Sequence, residues 1–213
     1  MVDECIGIIL AKFIHIPQAA RGIFLIGVEY YFKAQEISGT GDIDTARALY
    51  RRAIDVLEEI FKTAESTRHY GNSHYTRGMA YRRLGDFFEA ADAFFMSIDT
   101  NPNHQYADAM HWMIADSYEK MKRAGQVDPQ DADAIILWAY ETFFEEYPDS
   151  RMVGFAAREL ARVHVQQGRP VTAAGYLYWL MDYEAANGYR YTRPETTVDN
   201  LLRRLGHRKE CSQ

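Results

Sequence analysis

The chain has 213 residues, enough for one large domain or two small ones with a substantial core. Hydrophobic residues make up 47% and charged residues 25%, and a formal charge of −6 excludes the basic field that phosphate-driven nucleic-acid binding needs. The 15 Tyr and 11 Phe against 6 Pro favour long helices joined by short turns, and Cys5 and Cys211, with no CxxC spacing, make no disulfide framework.

The first predicted element is a helix up to Ile14, ahead of Pro17, with Ile6, Ile9, Leu10 and Phe13 at helical spacing. Its apolar run from Ile6 to Ile16 contains Lys12 and falls short of the roughly 20 residues a membrane span requires. Asp3 and Glu4 place negative charge where a secretory signal carries positive charge. As it stands the sequence reads as cytoplasmic, or as periplasmic or envelope-located if a leader has been removed. Residues 1–26 are expected to cap the following array or to dock on a partner.

A helical hairpin is predicted next, at about 27–64. Ala34 precedes a Gly41-Asp42 break, and Ala46, Tyr50 and Ala53 follow it. No proline stops the second helix, which is expected to run to about Ala64. The pattern returns at about 71–104. There Gly78 and Tyr81 precede Gly85-Asp86, then come Ala90, Phe94 and Ser97, and Pro102 stops the helix. Gly85 fits the left-handed position that ends a helix, and Asp86 is expected to cap the next with its side chain. Small residues let two antiparallel helices approach, with Gly78 and Ala90 as contact points beside the bulk of Tyr81 and Phe94.

The third hairpin, at about 107–148, matches with Ala115 and Tyr118 but carries an enlarged turn, KRAGQVDPQDAD, before Ile136, Tyr140, Phe143 and Pro148. The fourth, at about 150–185, has Ala161, Gly168, Ala173, Leu177 and Leu180 in register, with His164 at the aromatic position and Ala185 in place of Pro. A capping helix is predicted over 194–206, where Val198, Leu201, Leu202 and Leu205 form one stripe, and 207–213 reads as a tail.

The recurring order of small, aromatic, Ala, aromatic, small and Pro resembles the tetratricopeptide repeat (TPR) family over roughly residues 27 to 185. The third and fourth hairpins, Tyr147-Pro148-Asp149-Ser150 above all, resemble the repeats of bacterial outer-membrane assembly lipoproteins and periplasmic envelope proteins. The resemblance implies an all-α, right-handed α-solenoid of about four helical hairpins with flanking capping helices. It also implies a concave groove lined by the first helix of each hairpin. Carried onto this chain, the groove positions are Val28, Tyr31 and Gln35; Asn72, Tyr75, Met79 and Arg82; Asp108, Trp112, Asp116 and Glu119; and Phe155, Arg158 and Arg162. The chaperone-binding members hold a carboxylate with Lys and Asn at positions occupied here by Tyr31/Gln35, Tyr75/Met79, Trp112/Asp116 and Arg158/Arg162, of which only the two arginines suit an anion.

Residue patterns for catalysis are weaker than their structural readings. His104, Asp108 and His111 can share a helix face, yet no HExxH accompanies them, and a turn histidine plus a packing histidine is the stronger account. His69 and His74 flank Gly71-Asn72, which is expected to be a turn, and both are expected to face solvent. Gly39-Thr40-Gly41 lacks the GK[ST] of a phosphate loop, and no serine sits in a Gly-flanked elbow. The expected function is a non-enzymatic protein-interaction scaffold, a subunit or assembly factor of a larger complex, with no cofactor and no integral membrane span. Self-association is open. An envelope-assembly component and a metal-dependent enzyme are the rival readings. The partner-binding residues expected are Tyr31, Gln35, Tyr75, Met79, Arg82, Trp112, Asp116, Phe155, Arg158 and Arg162.

Overall fold

Two Gly-Asp breaks punctuate the N-terminal half, and the computed structural model shows the same backbone at both. It describes residues 4, 7, 8, 11, 12, 17–62 and 69–188. Helix α1 (Pro17–Thr40) ends where Gly41 turns left-handed at φ 90°, and α2 (Ile43–Glu58) follows. Helix α3 (His69–Leu84) ends at Gly85, φ 89°, before α4 (Phe87–Thr100). Glycine adopts this conformation without the clash a Cβ would bring. At Gly85 the amide bonds of a closed helix end are in place: Asp86 N–H donates to Tyr81 O at 3.0 Å. The two Asp residues then differ. Asp42 caps α2 by accepting from Thr45 N–H at 3.1 Å. Asp86 holds the N-cap position, but its carboxylate makes no capping bond, contrary to the sequence expectation.

Within each of these two hairpins a glycine admits a large neighbour. A methyl at Gly78 would stand 2.6 Å from Phe94 Cε1, and one at Gly27 would stand 2.5 Å from Leu57 Cγ. Phe94 and Leu57 are completely buried in these slots, and burying side chains of this size contributes about 1.5–3 kcal/mol each. Ser97 takes the small position of α4, and its hydroxyl donates to Gly71 O across the hairpin at 2.7 Å, so the buried oxygen is satisfied.

The chain divides into two compact units at Gln126/Val127. In the first, α1 packs on α2 and α3 on α4, while α2 packs on α3 and α4 on α5 (Ala107–Arg123). Tyr31, Ala34, Tyr50, Ala53, Ile54, Ala80 and Leu84 form one core cluster here, and Ala20, Ile23, Val56, Leu57 and Ile60 another. First helices also meet directly, α1 against α3. The second unit contains α6 (Pro129–Glu146), α7 (Val153–Gln166) and α8 (Pro170–Asn187), with α6 on α7 and α7 on α8. Ile136, Tyr140 and Phe143 of α6 are buried, as are Ala161, Ala173 and Leu177, which pack together.

Three sequence expectations are corrected. The α-helix after Gly41 stops at Glu58 and continues as a 3-10 turn, Glu59–Lys62, rather than as regular helix. The turn expected to be enlarged spans only 124–128. Gly125, at φ 68°, closes α5, and Asp128 caps α6 through Gln130 N–H (2.8 Å) and Asp131 N–H (3.3 Å), so the extra residues lengthen the helices. Gly71-Asn72 is not a turn. It lies inside α3 because Gly71 admits Asn101, whose Cβ a methyl at Gly71 would approach to 2.8 Å. The capping helix over 194–206, the tail, Cys5, Cys211 and most of the N-terminal helix lie outside the described residues.

Candidate functional site

The first helices α1 and α3, with the turn 101–106, enclose an open cavity of about 370 Å³ in the first unit. It is lined by Phe24, Val28, Tyr31, Phe32, Gln35, Asn72, Tyr75, Thr76, Met79, His104, Gln105 and Tyr106. The side chains of α1 reach it at helical spacing from Phe24 to Gln35, and those of α3 from Asn72 to Met79. Four of the expected partner-binding residues, Tyr31, Gln35, Tyr75 and Met79, and the expected groove positions Val28 and Asn72 thus come together.

The cavity wall is an aromatic stack fixed by hydrogen bonds. Tyr75 stacks on Tyr106 with centroids 5.1 Å apart and planes at 24°, and it meets His104 at 5.1 Å and Phe94 at 6.2 Å. Gln35 Nε2 donates to Tyr31 Oη at 2.8 Å. His104 is buried. Tyr106 N–H donates to its Nδ1 at 3.1 Å, so Nε2 carries the proton and donates to Asn72 Oδ1 at 2.7 Å. Burial pushes the Tyr75 hydroxyl up to about 12, raises Tyr31, and lowers His104 below the ordinary imidazole value. The described lining contains no Asp, Glu, Lys or Arg. The cavity offers aromatic faces, a thioether and side-chain amides, a surface for apolar and hydrogen-bonding contact.

Farther along α3, Arg82 lies over the ring of Trp112, 5.0 Å from its centroid, and pairs with Asp116. Asp116 Oδ2 also receives Lys120 Nζ at 2.8 Å. Arg82, Trp112 and Asp116, expected as partner contacts, thus form one cluster joining α3 to α5. In the second unit, Arg158 and Arg162 both engage Glu159, at 2.9 and 2.7 Å, and Arg158 lies over Phe155 at 4.7 Å. Each arginine is about a third exposed, and the two share the Glu159 carboxylate within α7.

Four of the other described histidines pack within the fold. His111 is buried with Nδ1 donating to Ala107 O at 2.8 Å. His74, expected in solvent, is buried and stacks on Phe61 at 4.3 Å, and His69 stacks on Phe24 at 5.3 Å. Because Gly71-Asn72 continues the helix, both rings turn inward. His164 fills the aromatic position of the fourth hairpin by stacking on Tyr176 at 5.5 Å. Among the described residues no group of three or more His, Cys, Asp or Glu is placed to hold a metal ion, and no helix is long and apolar enough to cross a membrane.

Sequence reasoning missed Phe24, Phe32, Thr76, Gln105 and Tyr106 as cavity residues, and gave His104 a place in a turn without a role in the site. The only signal for the turn residues was the aromatic Tyr106 so soon after Pro102.

Helices paired into hairpins around small-residue contacts, with first helix against first helix, define a TPR-like repeat fold. The chain superposes on the nearly identical TPR-like repeats of a protein assigned as a kinesin light chain from Podosopora anserina, with a TM-score of 0.56, 15% identity, and 92% of this chain and 90% of that one covered. A single-substitution variant of the same protein gives a TM-score of 0.57 at 15% identity, covering 92% of each chain. No protein-family model and no curated protein matches the sequence. The likeness is one of fold.

Proposed function

We propose that the chain is a non-enzymatic protein-interaction scaffold, a subunit or assembly factor of a larger complex, that takes a segment of a partner protein in the α1/α3 groove. The observation that carries this reading is the cavity of about 370 Å³, lined by aromatic and amide side chains from successive hairpins. Its size falls within the range of about 300–1,000 Å³ usual for binding sites. Its rim exposes Phe32 (59%) and Tyr106 (44%), and aromatic side chains dominate binding hot spots. Arg82, Trp112 and Asp116 extend the surface with polar contacts, and Phe155, Arg158 and Arg162 offer a second patch in their own unit.

A photo-crosslinking residue at position 32, in place of Phe32, tests the reading in an extract of the native source. A discrete partner joined there, and absent when the same residue replaces the exposed Tyr178 of α8, supports it. Equal products at both positions, or none at position 32, contradict it.

A further inference from the structure

We propose that His104 is an acid-sensitive pin for the groove wall: its protonation releases Tyr106 from Tyr75 and opens the cavity. This rests on the reading of the cavity as the binding site and adds its regulation.

Backbone bonds hold the turn 101–106 at several points. Asn101 N–H donates to Ser97 O at 3.0 Å, His104 N–H to Asn101 O at 3.0 Å, Ala107 N–H to His104 O at 2.9 Å, and Met110 N–H to Tyr106 O at 2.9 Å. The Tyr106 amide itself donates to a side chain, His104 Nδ1, at 3.1 Å. The backbone bonds are indifferent to the state of the imidazole. The bond to Nδ1 exists only while that nitrogen carries a lone pair, because both nitrogens of an imidazolium are donors.

Taking a proton from water at Nδ1 therefore sets two N–H groups against each other, while Nε2–H keeps Asn72 Oδ1 at 2.7 Å. The ring cannot solve the conflict by flipping, since Asn72 needs a donor and Tyr106 an acceptor. The backbone of Tyr106 must move, and with it the ring that stacks on Tyr75 at 5.1 Å. Asn72 and Tyr75 of α3 and Tyr106 of the turn, which meet the His104 side chain, carry no carboxylate, and Tyr31 of α1 lies across the cavity. On α5, Asp108 turns Oδ1 to Ala109 N–H at 2.7 Å, and on α3 Arg82 pairs with Asp116. Burial, which lowers the affinity of His104 for a proton, acts in the same sense: the closed wall and the neutral ring go together.

The test is made on the whole chain in solution, labelled with ¹⁵N, without any partner. His104 ring nitrogen shifts report protonation from about pH 7.5 to about pH 4.5. Over the same titration we expect protection of the Tyr106 amide to fall about tenfold and Tyr75–Tyr106 ring contacts to fade, while the Ala107 amide stays protected. His104→Asn supplies a side-chain oxygen that can accept from the amide two residues on and cannot take up the proton. In that variant the stack persists across the range. A stack that survives protonation of His104 overturns the proposal, as does an equal loss in His104→Asn. Because no partner is used, these outcomes stand apart from success or failure of crosslinking at position 32.

Discussion

Gly78 on α3 and Phe94 on α4 interlock so closely that a methyl group on the glycine would stand 2.6 Å from Cε1 of the ring. Gly78→Ala sets two effects against each other. Alanine favours an interior helix position by about 0.5–1 kcal/mol over glycine. Overpacking a filled core costs about 1–3 kcal/mol, and Phe94 is completely buried. The variant is expected to be less stable by about 1–2 kcal/mol in urea unfolding, and Phe94→Leu in the same chain should restore part of the loss. A gain in stability for Gly78→Ala would mean that the hairpin does not depend on this contact.

His74 gives the first unit a pH dependence with a defined sign. Burial lowers its pKa from 6.5 to about 4, with Arg77 adding to the shift. The unfolded chain therefore binds the proton first. The contribution of the neutral ring is complete above pH 6.5 and is lost as the pH falls from 6.5 to about 4. The loss amounts to about 2–3 kcal/mol. His74→Phe keeps a ring against Phe61 and removes the titration, so the stability difference between wild type and variant should change across that window and be flat above it. Parallel curves would contradict the buried placement.

Asp116 receives both Arg82 and Lys120. The Arg82 and Asp116 side chains are only 16% and 23% exposed, between the surface and interior cases. Asp116→Ala should cost about 1–2 kcal/mol, more than an exposed pair and less than a fully buried one. Lys120→Ala, which leaves the inner pair intact, should cost under about 0.5 kcal/mol. A double-mutant cycle over Arg82 and Asp116 checks the coupling, and additive effects would deny it.

Trp112 supports Arg82 with its ring face, 5.0 Å from the guanidinium carbon. Trp112→Ala is expected to weaken partner binding by about 1–3 kcal/mol while leaving the helix content by circular dichroism unchanged. Unchanged affinity would confine the binding surface to the cavity.

The hairpins were legible because their determinants are local. A left-handed glycine at Gly41 or Gly85 and a small residue opposite a large one, as Gly78 opposite Phe94, can be read from spacing alone. The α1 and α3 sides of the cavity coincide with groove positions carried over from the TPR resemblance, Tyr31, Gln35, Tyr75 and Met79 among them. The third side was not legible. Tyr106 and Gln105 sit in a turn, where no period specifies direction, and Tyr106 is aimed by a bond to His104 that the sequence does not display. Gly71 misled for a related reason: glycine marks a turn and a close helix contact equally well, and only the neighbour Asn101 distinguishes them. The TPR resemblance assigns Arg82 and Asp116 to the groove, and says nothing of their reaching each other.

The central claim, that the α1/α3 groove binds a partner through its aromatic wall, is tested most directly by the affinity of the partner crosslinked at position 32. Isothermal titration of that partner should show Tyr75→Ala weakening binding by about 10- to 100-fold, with helix content preserved and Tyr178→Ala without effect. Equal affinity of wild type and Tyr75→Ala would contradict it.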